Sequence, residues 1–162
     1  MNIAITIIII FCTWKWGDWK NWQKYHPTML FVALANILYN FIYCKGPLWE
    51  IQPGILQNGI LTELLYSFIV FPLTALMFLS NLPNSIGKQT LHILKYVLIY
   101  FIFEYIFFVS NMIIYRHGWT LFYSFIWNIM MFIVWTIHFK KPLLAYISSV
   151  GIIIIVTKLF PA

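Results

Sequence analysis

Charged residues are scarce in this sequence. Only 9% of its 162 residues are Asp, Glu, Lys or Arg, whereas a soluble domain carries about 25%. Apolar residues make up 62% of the chain and aromatic residues 20%, against about 45–50% apolar residues in a soluble domain. Too little polar surface is left for a water-soluble catalytic domain or for one that binds nucleic acid. The composition therefore predicts an integral membrane protein whose main partner is the lipid bilayer.

The sequence also lacks the short motifs that carry common chemistries. It contains no Gly-rich phosphate loop, no His-Glu-x-x-His and no Gly-x-Ser-x-Gly. Three of the four histidines lie close to Lys24, Lys95 and Lys140, and these positive charges disfavour a divalent cation beside them. We therefore expect no catalytic residues, no metal site and no cofactor.

Long apolar stretches dominate what is present. A helix needs about 20 mostly apolar residues to cross the hydrocarbon of a bilayer. Six stretches are candidates, and the first of them is short. If the first stretch crosses with little tilt, the chain has six spans; if it lies half-inserted in the membrane, the chain has five. The sequence predicts an all-α, polytopic transmembrane helix bundle that forms one domain over residues 1–162. The predicted spans are residues 2–16, 28–43, 60–79, 93–115, 119–139 and 143–160.

The ten basic residues lie near the ends of these stretches and predict the orientation of the chain. One side of the membrane receives seven of them, and the other receives Lys45, Arg116 and Lys158. By the positive-inside rule, the side with seven is cytoplasmic. Segment 14–22 lies on that side, and its composition is typical of an anchor in the headgroup layer or of a docking surface for a partner. The anchor residues are Trp14, Trp16, Trp19 and Trp22.

Polar side chains inside the predicted spans follow one stripe on each of four helices. A bilayer supplies no water to satisfy them, so these stripes are expected to face one another in the bundle interior. The first and last segments carry few such residues, which predicts a four-helix core with two peripheral helices. The depth of the stripes indicates a polar pocket in the outer half of the membrane, closed on the cytoplasmic side by bulky residues. The candidate residues of this pocket are Glu104, Glu63, Asn36, Asn40, Asn111 and Asn128.

Glu104 is the central residue of this candidate site. It lies between the apolar segments 101–103 and 106–108, near the middle of a predicted span. An ionised carboxylate at that depth costs several kcal/mol unless it is neutralised, and no Lys or Arg lies at a comparable depth. We therefore expect Glu104 to be protonated or to bind a cation, with Glu63 or an asparagine as a second ligand. Hydrogen bonding between helices, without any ligand, is the simpler explanation of the same stripes.

Short motifs spread over residues 25–146 resemble those of a known family. The family consists of small, uncharacterised multi-pass membrane proteins of endospore-forming bacteria, and it is named after a locus, without an assigned activity or substrate. The resemblance implies a bacterial cytoplasmic membrane or a spore membrane as the location, and it implies no functional role for any residue. The motifs that carry it include Tyr25-His26-Pro27-Thr28, Leu38-Tyr39-Asn40-Phe41, Glu63-Leu64-Leu65-Tyr66-Ser67-Phe68, Tyr115-Arg116-His117-Gly118-Trp119 and His138-Phe139-Lys140-Lys141-Pro142-Leu143.

Three hypotheses about function follow. The small size and the missing catalytic motifs favour a non-enzymatic accessory or assembly subunit of a bacterial membrane complex, which has a membrane-protein partner. The alternative is a small proton- or cation-coupled translocator, which acts as a homo-oligomer and uses the pocket around Glu104. The third is an intramembrane enzyme acting on lipid, with Glu63 or Glu104 as its acid or base.

Overall fold

A computed structural model describes residues 2–161, and most of these residues are helical. Helix accounts for 79% of the structure, which confirms the prediction of an all-α protein. The six helices are α1 (Asn2–Trp16), α2 (Trp22–Ile42), α3 (Gly59–Ser80), α4 (Ile86–Val109), α5 (Leu121–Lys140) and α6 (Pro142–Leu159).

Four of these helices, α3 to α6, are long and apolar enough to cross a membrane. The protein is therefore a helical membrane protein. α1 is apolar but has only 15 residues, fewer than the about 20 that cross a bilayer. α2 has 21 residues, but it begins with polar residues such as Lys24 and His26 and carries two asparagines farther along. Length and composition thus support four spans directly, rather than the predicted six.

α3 is continuous but changes its winding in the middle. The sequence leads us to expect a bend at Pro72, because a proline inside a helix donates no hydrogen bond and crowds the carbonyl of the preceding turn. Residues Tyr66–Val70 form a π-helical turn directly before it, in which the backbone N–H of Phe71 donates to Tyr66 O. The wider turn accommodates the proline without ending the helix.

A two-stranded antiparallel ribbon, which the sequence does not predict, covers one end of the bundle. In it β1 (Trp49–Ile51) pairs with β2 (Ile113–Tyr115). α4 begins at Ile86 and ends at Val109, so it starts and stops earlier in the chain than the predicted span 93–115. Asn111 adopts a left-handed φ of 55°, a conformation that asparagine tolerates better than most residues. This turn reverses the chain and directs it into β2.

Consecutive helices run in opposite directions, so the bundle has two distinct ends. At the end covered by the ribbon, which we call the ribbon end, the Asn2 side chain donates to Gln52 O at 2.8 Å. At the other end, the Asn81 side chain donates to Trp16 O at 2.9 Å. We call this second end the lysine end, after the residues Lys15, Lys20, Lys24, Lys88, Lys140 and Lys141.

The main apolar core lies between α2, α3, α4 and α5, toward the lysine end. Phe78 and Phe132 are fully buried at its centre, with ring centroids 5.0 Å apart. α1 packs chiefly against α3, and α6 chiefly against α5. These two helices consequently lie at the periphery, and α1 approaches the edge of α4 without closing the space between them.

Candidate functional site

A cavity runs along the bundle between α1 and α4. Its volume is about 620 Å³, within the range of about 300–1,000 Å³ that is typical of small-molecule sites. Side chains of α2, α3 and α5 form its back wall, and apolar side chains such as Ile8, Ile99 and Phe103 form most of the walls on α1 and α4. Ile8 and Phe103 are 47% and 40% exposed. The cavity is therefore open on the side where α1 and α4 face each other.

Glu104 of α4 lines this cavity. Its Oε1 accepts a hydrogen bond from the Tyr115 hydroxyl at 2.9 Å, and its Oε2 accepts one from Asn128 Nδ2 at 3.0 Å. Tyr115 belongs to β2 and Asn128 to α5, so three elements of the fold meet at one carboxylate. Because α4 ends at Val109, Glu104 lies about 7 Å from the end of its helix. The sequence predicts Glu104 near the middle of a span, but in the structure it lies nearer to the ribbon end.

A chain of hydrogen bonds leads from the ribbon end to Glu104. Trp119 Nε1 donates to Ser124 Oγ at 2.8 Å, Ser124 Oγ donates to the Tyr115 hydroxyl at 3.2 Å, and that hydroxyl donates to the carboxylate. An indole N–H donates and never accepts. It therefore occupies one lone pair of the serine oxygen, and the hydroxyls of Ser124 and Tyr115 donate onward in the direction of Glu104.

The tyrosine in this chain stays a proton donor. Burial, together with the nearby charge of Glu104, raises the pKa of the Tyr115 hydroxyl well above its usual value. The Glu104 carboxylate accordingly accepts a hydrogen bond at each of its two oxygens, one from Tyr115 and one from Asn128.

The described part of the chain places no cationic side chain beside this carboxylate. Within residues 2–161 the one ion pair joins Arg116 to Glu50 at 3.0 Å, on the exposed surface of the ribbon end. Lys95 lines the cavity too, but it precedes Glu104 by about two and a half turns of α4. Glu104 thus has hydrogen-bond donors without a counter-ion among the described side chains.

Glu63, the second interior carboxylate, lies in a packed contact between α2 and α3. Its Oε2 accepts a hydrogen bond from Asn40 Nδ2 at 3.0 Å. One turn farther along, Asn36 Nδ2 donates to Ser67 Oγ at 2.9 Å, and Ser67 donates to the backbone oxygen of Glu63 at 2.7 Å. Of these residues, Asn36 lines the cavity, whereas Glu63 and Asn40 are outside its described lining. The cluster holds two helices together.

Asn111 is the predicted site residue that the structure removes from the interior. It is exposed in the turn between α4 and β2, because α4 stops at Val109 instead of continuing to residue 115. Its side chain is not among those that meet the Glu104 carboxylate. The other predicted residues form two groups: Glu104 with Asn128 in the cavity, and Glu63 with Asn40 and Asn36 between α2 and α3.

The cavity extends farther toward the lysine end than the sequence predicts. We expect bulky residues to close a pocket on that side, and the bulky residues Tyr96 and Trp135 are among those that line the cavity there. The lining continues to His92, Lys95 and Asn81 near the lysine end. The reason is the open space between α1 and α4, which runs along most of their length.

The tryptophans of the ribbon end are the residues that sequence reasoning missed. Trp49, Trp119 and Trp127 line the cavity, and the ring centroids of Trp49 and Trp119 are 4.9 Å apart. Tryptophans near the ends of apolar segments are usual at membrane interfaces, so their position in the sequence gives no sign of a cavity. Only the pairing of β1 with β2 brings Trp49 beside the other two.

The lysine end carries the predicted interfacial anchor. Trp14, Trp16, Trp19 and Trp22 are all exposed there. Cys12, two residues before Trp14 on α1, lines the cavity, and Cys44 is exposed at the opposite end; both cysteines are free. Among the described residues, no group of three His, Cys, Asp or Glu side chains is placed to hold a metal ion.

The chain matches no protein-family model, no curated protein and no solved structure. The resemblance to membrane proteins of endospore-forming bacteria therefore stays a prediction. The fold and the site define a helical membrane protein with an internal cavity, at which one carboxylate is held by donors alone.

Proposed function

We propose that this protein is a small cation translocator of the bacterial cytoplasmic membrane, and that Glu104 binds the cation. The observation that carries the proposal is the polarised hydrogen-bond chain, which presents a donor to each oxygen of the carboxylate. Trp119 begins that chain with a group that donates only. Ser124 and Tyr115 continue the chain from this indole to the carboxylate.

The energetic argument concerns charge in an apolar environment. A carboxylate that is removed from bulk water carries a desolvation penalty, which proteins relieve by a counter-ion or by protonation. At Glu104 two donors meet the carboxylate, and no described Lys or Arg forms an ion pair with it. Neutralisation by a bound cation, exchangeable with a proton, is compatible with both observations.

The arrangement that we propose in the membrane has six spans, with α1 and α2 added to the four helices that are both long and apolar enough to cross a membrane. The excess of lysines at the lysine end favours that end as the cytoplasmic one. Glu104 then lies toward the outer face, and the cavity extends from it toward the cytoplasmic side. A translocated cation follows that course, and a homo-oligomer of the chain is the form in which we expect it to operate.

The test of this function is flux in proteoliposomes that contain the purified full-length protein. Glu104→Gln keeps the size of the side chain and removes its charge, so we expect flux of protons or monovalent cations to be lost while the variant remains folded. Glu63→Gln is the matched control, because Glu63 lies outside the cavity lining, and its flux should persist. Undiminished flux in Glu104→Gln would exclude Glu104 as the coupling residue.

The accessory or assembly subunit remains a second proposal, and α6 is the feature that favours it. Only 6% of the apolar window of this helix is buried within the chain, so lipid or another membrane protein must cover the rest. Purification from the native membrane in mild detergent, followed by mass spectrometry, separates the two functions. A stoichiometric partner would favour the subunit, and a homo-oligomer without a partner would favour the translocator.

A further inference from the structure

Aromatic rings line the cavity at the ribbon end, in the same region as Glu104. Trp127 lies one residue before the asparagine that binds the carboxylate, and Trp119 begins the hydrogen-bond chain. The ring of Trp49 is 4.9 Å from that of Trp119 and 5.5 Å from that of Trp127, and Tyr39 stacks on it at 4.1 Å. All four rings line the cavity. Faces of aromatic rings attract cations, and tryptophan does so most strongly.

The polar groups at Glu104 do not form a cage for a small metal ion. Ions such as Mg²⁺ and Ca²⁺ take about six or more oxygen ligands. Here Asn128 presents its amide nitrogen and Tyr115 its hydroxyl proton, and both are directed to the carboxylate. Within the described residues there is also no cluster of three metal-binding side chains. The surroundings of Glu104 therefore suit a cation that needs few oxygen ligands.

The rest of the cavity is apolar and large. Ile5, Ile9 and Phe107 line it in addition to the walls already described, and its volume of about 620 Å³ greatly exceeds that of a bare ion. The opening between α1 and α4 lies between two apolar helices, so it faces the hydrocarbon of the bilayer in the proposed arrangement. A ligand that enters by this route must itself be soluble in hydrocarbon.

Resting on the proposed function, we infer that the cation is a lipophilic organic cation, with one positive charge on a body of apolar rings or chains. Glu104 neutralises the charge, the rings of Trp127 and Trp119 contact the charged end, and the isoleucine and phenylalanine walls contain the apolar body. Each part of the cavity thus has a counterpart in one class of ligand.

The experiment uses two probes of nearly identical shape and opposite charge. Tetraphenylphosphonium is a lipophilic cation, and tetraphenylborate is the corresponding anion. We expect the purified full-length protein to bind the cation saturably in equilibrium dialysis, and at least about tenfold more tightly than the anion, because a charge–charge contact and ring faces both favour it. Equal binding of the two probes would overturn the inference. This comparison uses the unmodified protein and requires no variant to fold.

Variants then connect the binding to the site. Glu104→Gln is expected to weaken tetraphenylphosphonium binding by at least about tenfold, and Trp127→Leu to weaken it by a smaller factor. Glu63→Gln is the matched control and should bind as the unmodified protein does. Binding that is insensitive to Glu104→Gln would place the probe elsewhere and overturn the inference.

The outcome for the substrate class is separable from the outcome for the function. If the protein shows Glu104-dependent flux of protons or sodium but binds the two probes equally, the inferred substrate class is wrong, and the proposed translocator function is still supported. If Glu104→Gln changes neither the flux nor the binding of tetraphenylphosphonium, both proposals fail.

Discussion

Glu63 and Glu104 lie at similar depths in the bundle, yet their surroundings differ. Each is about 6–8 Å from the ribbon-end terminus of its own helix. Glu63 lies where α2 and α3 pack against each other, and its carboxylate accepts one described hydrogen bond, from Asn40. Glu104 lines an open cavity and accepts hydrogen bonds from two other elements of the fold.

The difference shows that depth alone does not determine the role of a carboxylate. At Glu63 the neighbouring helix α2 supplies an asparagine partner, and the side chain lies outside the described lining of the cavity. At Glu104 the neighbouring helix α1 stays apart from α4, and space for a ligand remains. The packing beside each residue distinguishes a structural contact from a candidate binding site.

The strongest test of this comparison removes the asparagine partner of each carboxylate. Asn128→Leu deletes a hydrogen bond to a charged group, worth about 1.5–3 kcal/mol, so we expect cation binding to weaken by roughly tenfold or more. Asn40→Leu should leave binding unchanged and lower the melting temperature in detergent, because it loosens the contact of α2 with α3. Binding isotherms and melting curves of both variants check this. Equal losses of binding would contradict the comparison.

A second test uses the two native cysteines. Cys12 lines the cavity, whereas Cys44 is exposed at the ribbon end. Tetraphenylphosphonium in the cavity is expected to slow the alkylation of Cys12 by N-ethylmaleimide several-fold and to leave Cys44 unaffected, because Cys12 lines the cavity that the probe occupies and Cys44 does not. Peptide mass spectrometry measures both rates. Equal protection of the two cysteines would show that the probe acts on the whole protein or on the detergent.

A smaller effect is expected from the residue that begins the hydrogen-bond chain. Trp119→Phe keeps an aromatic ring and removes the indole N–H, so Ser124 is no longer held as an acceptor. The loss is indirect, and we expect cation binding to weaken by about threefold, as for one neutral hydrogen bond. Trp22→Phe, at an exposed tryptophan of the lysine end, is the control. Unchanged binding in Trp119→Phe would mean that the polarity of the chain has no role.

The smallest effect concerns Asp18, which extends the comparison to a carboxylate at the lysine end. Its pKa lies below the usual value of 3.8, chiefly because the Asn21 side chain donates to its oxygens. A carboxylate with a lowered folded pKa adds stability above its unfolded pKa and loses it as the pH falls through the folded value. Asp18→Asn should therefore lower the melting temperature slightly at neutral pH.

The same reasoning predicts how this difference changes with acidity. It should shrink as the pH falls below 3.8 and through the folded pKa, because the native side chain is then protonated as well. Melting curves of the native protein and the variant over this range provide the measurement. A difference that stays constant in acid would show that Asp18 acts through something other than its charge.

Helical periodicity explains how much of the site is predictable from the sequence. Glu104 and Asn128 both belong to polar stripes that the sequence assigns to the bundle interior, and in the structure they are hydrogen-bonded to each other. The pairing of Asn40 with Glu63 arises in the same way. A helical stripe is a local pattern, so it is readable without knowledge of the fold.

The remainder of the site depends on features too short to leave a pattern. β1 and β2 have three residues each, which is too few for the alternation that reveals a strand. The turn at Asn111 consequently goes undetected, and the predicted span runs on to residue 115. The sequence therefore assigns Tyr115 to a helix, whereas in the structure it reaches Glu104 from a strand.

The sequence by itself determined that this is a helical membrane protein, because composition and the length of apolar segments decide the solvent in which a chain is stable. It also determined which faces of the helices carry polar groups. Only the tertiary structure decided that α1 and α4 stay apart, that the ribbon brings three tryptophans together, and that Glu104 rather than Glu63 faces a cavity. These features arise from contacts between segments distant in the chain, and such contacts depend on how side chains fill the space between helices.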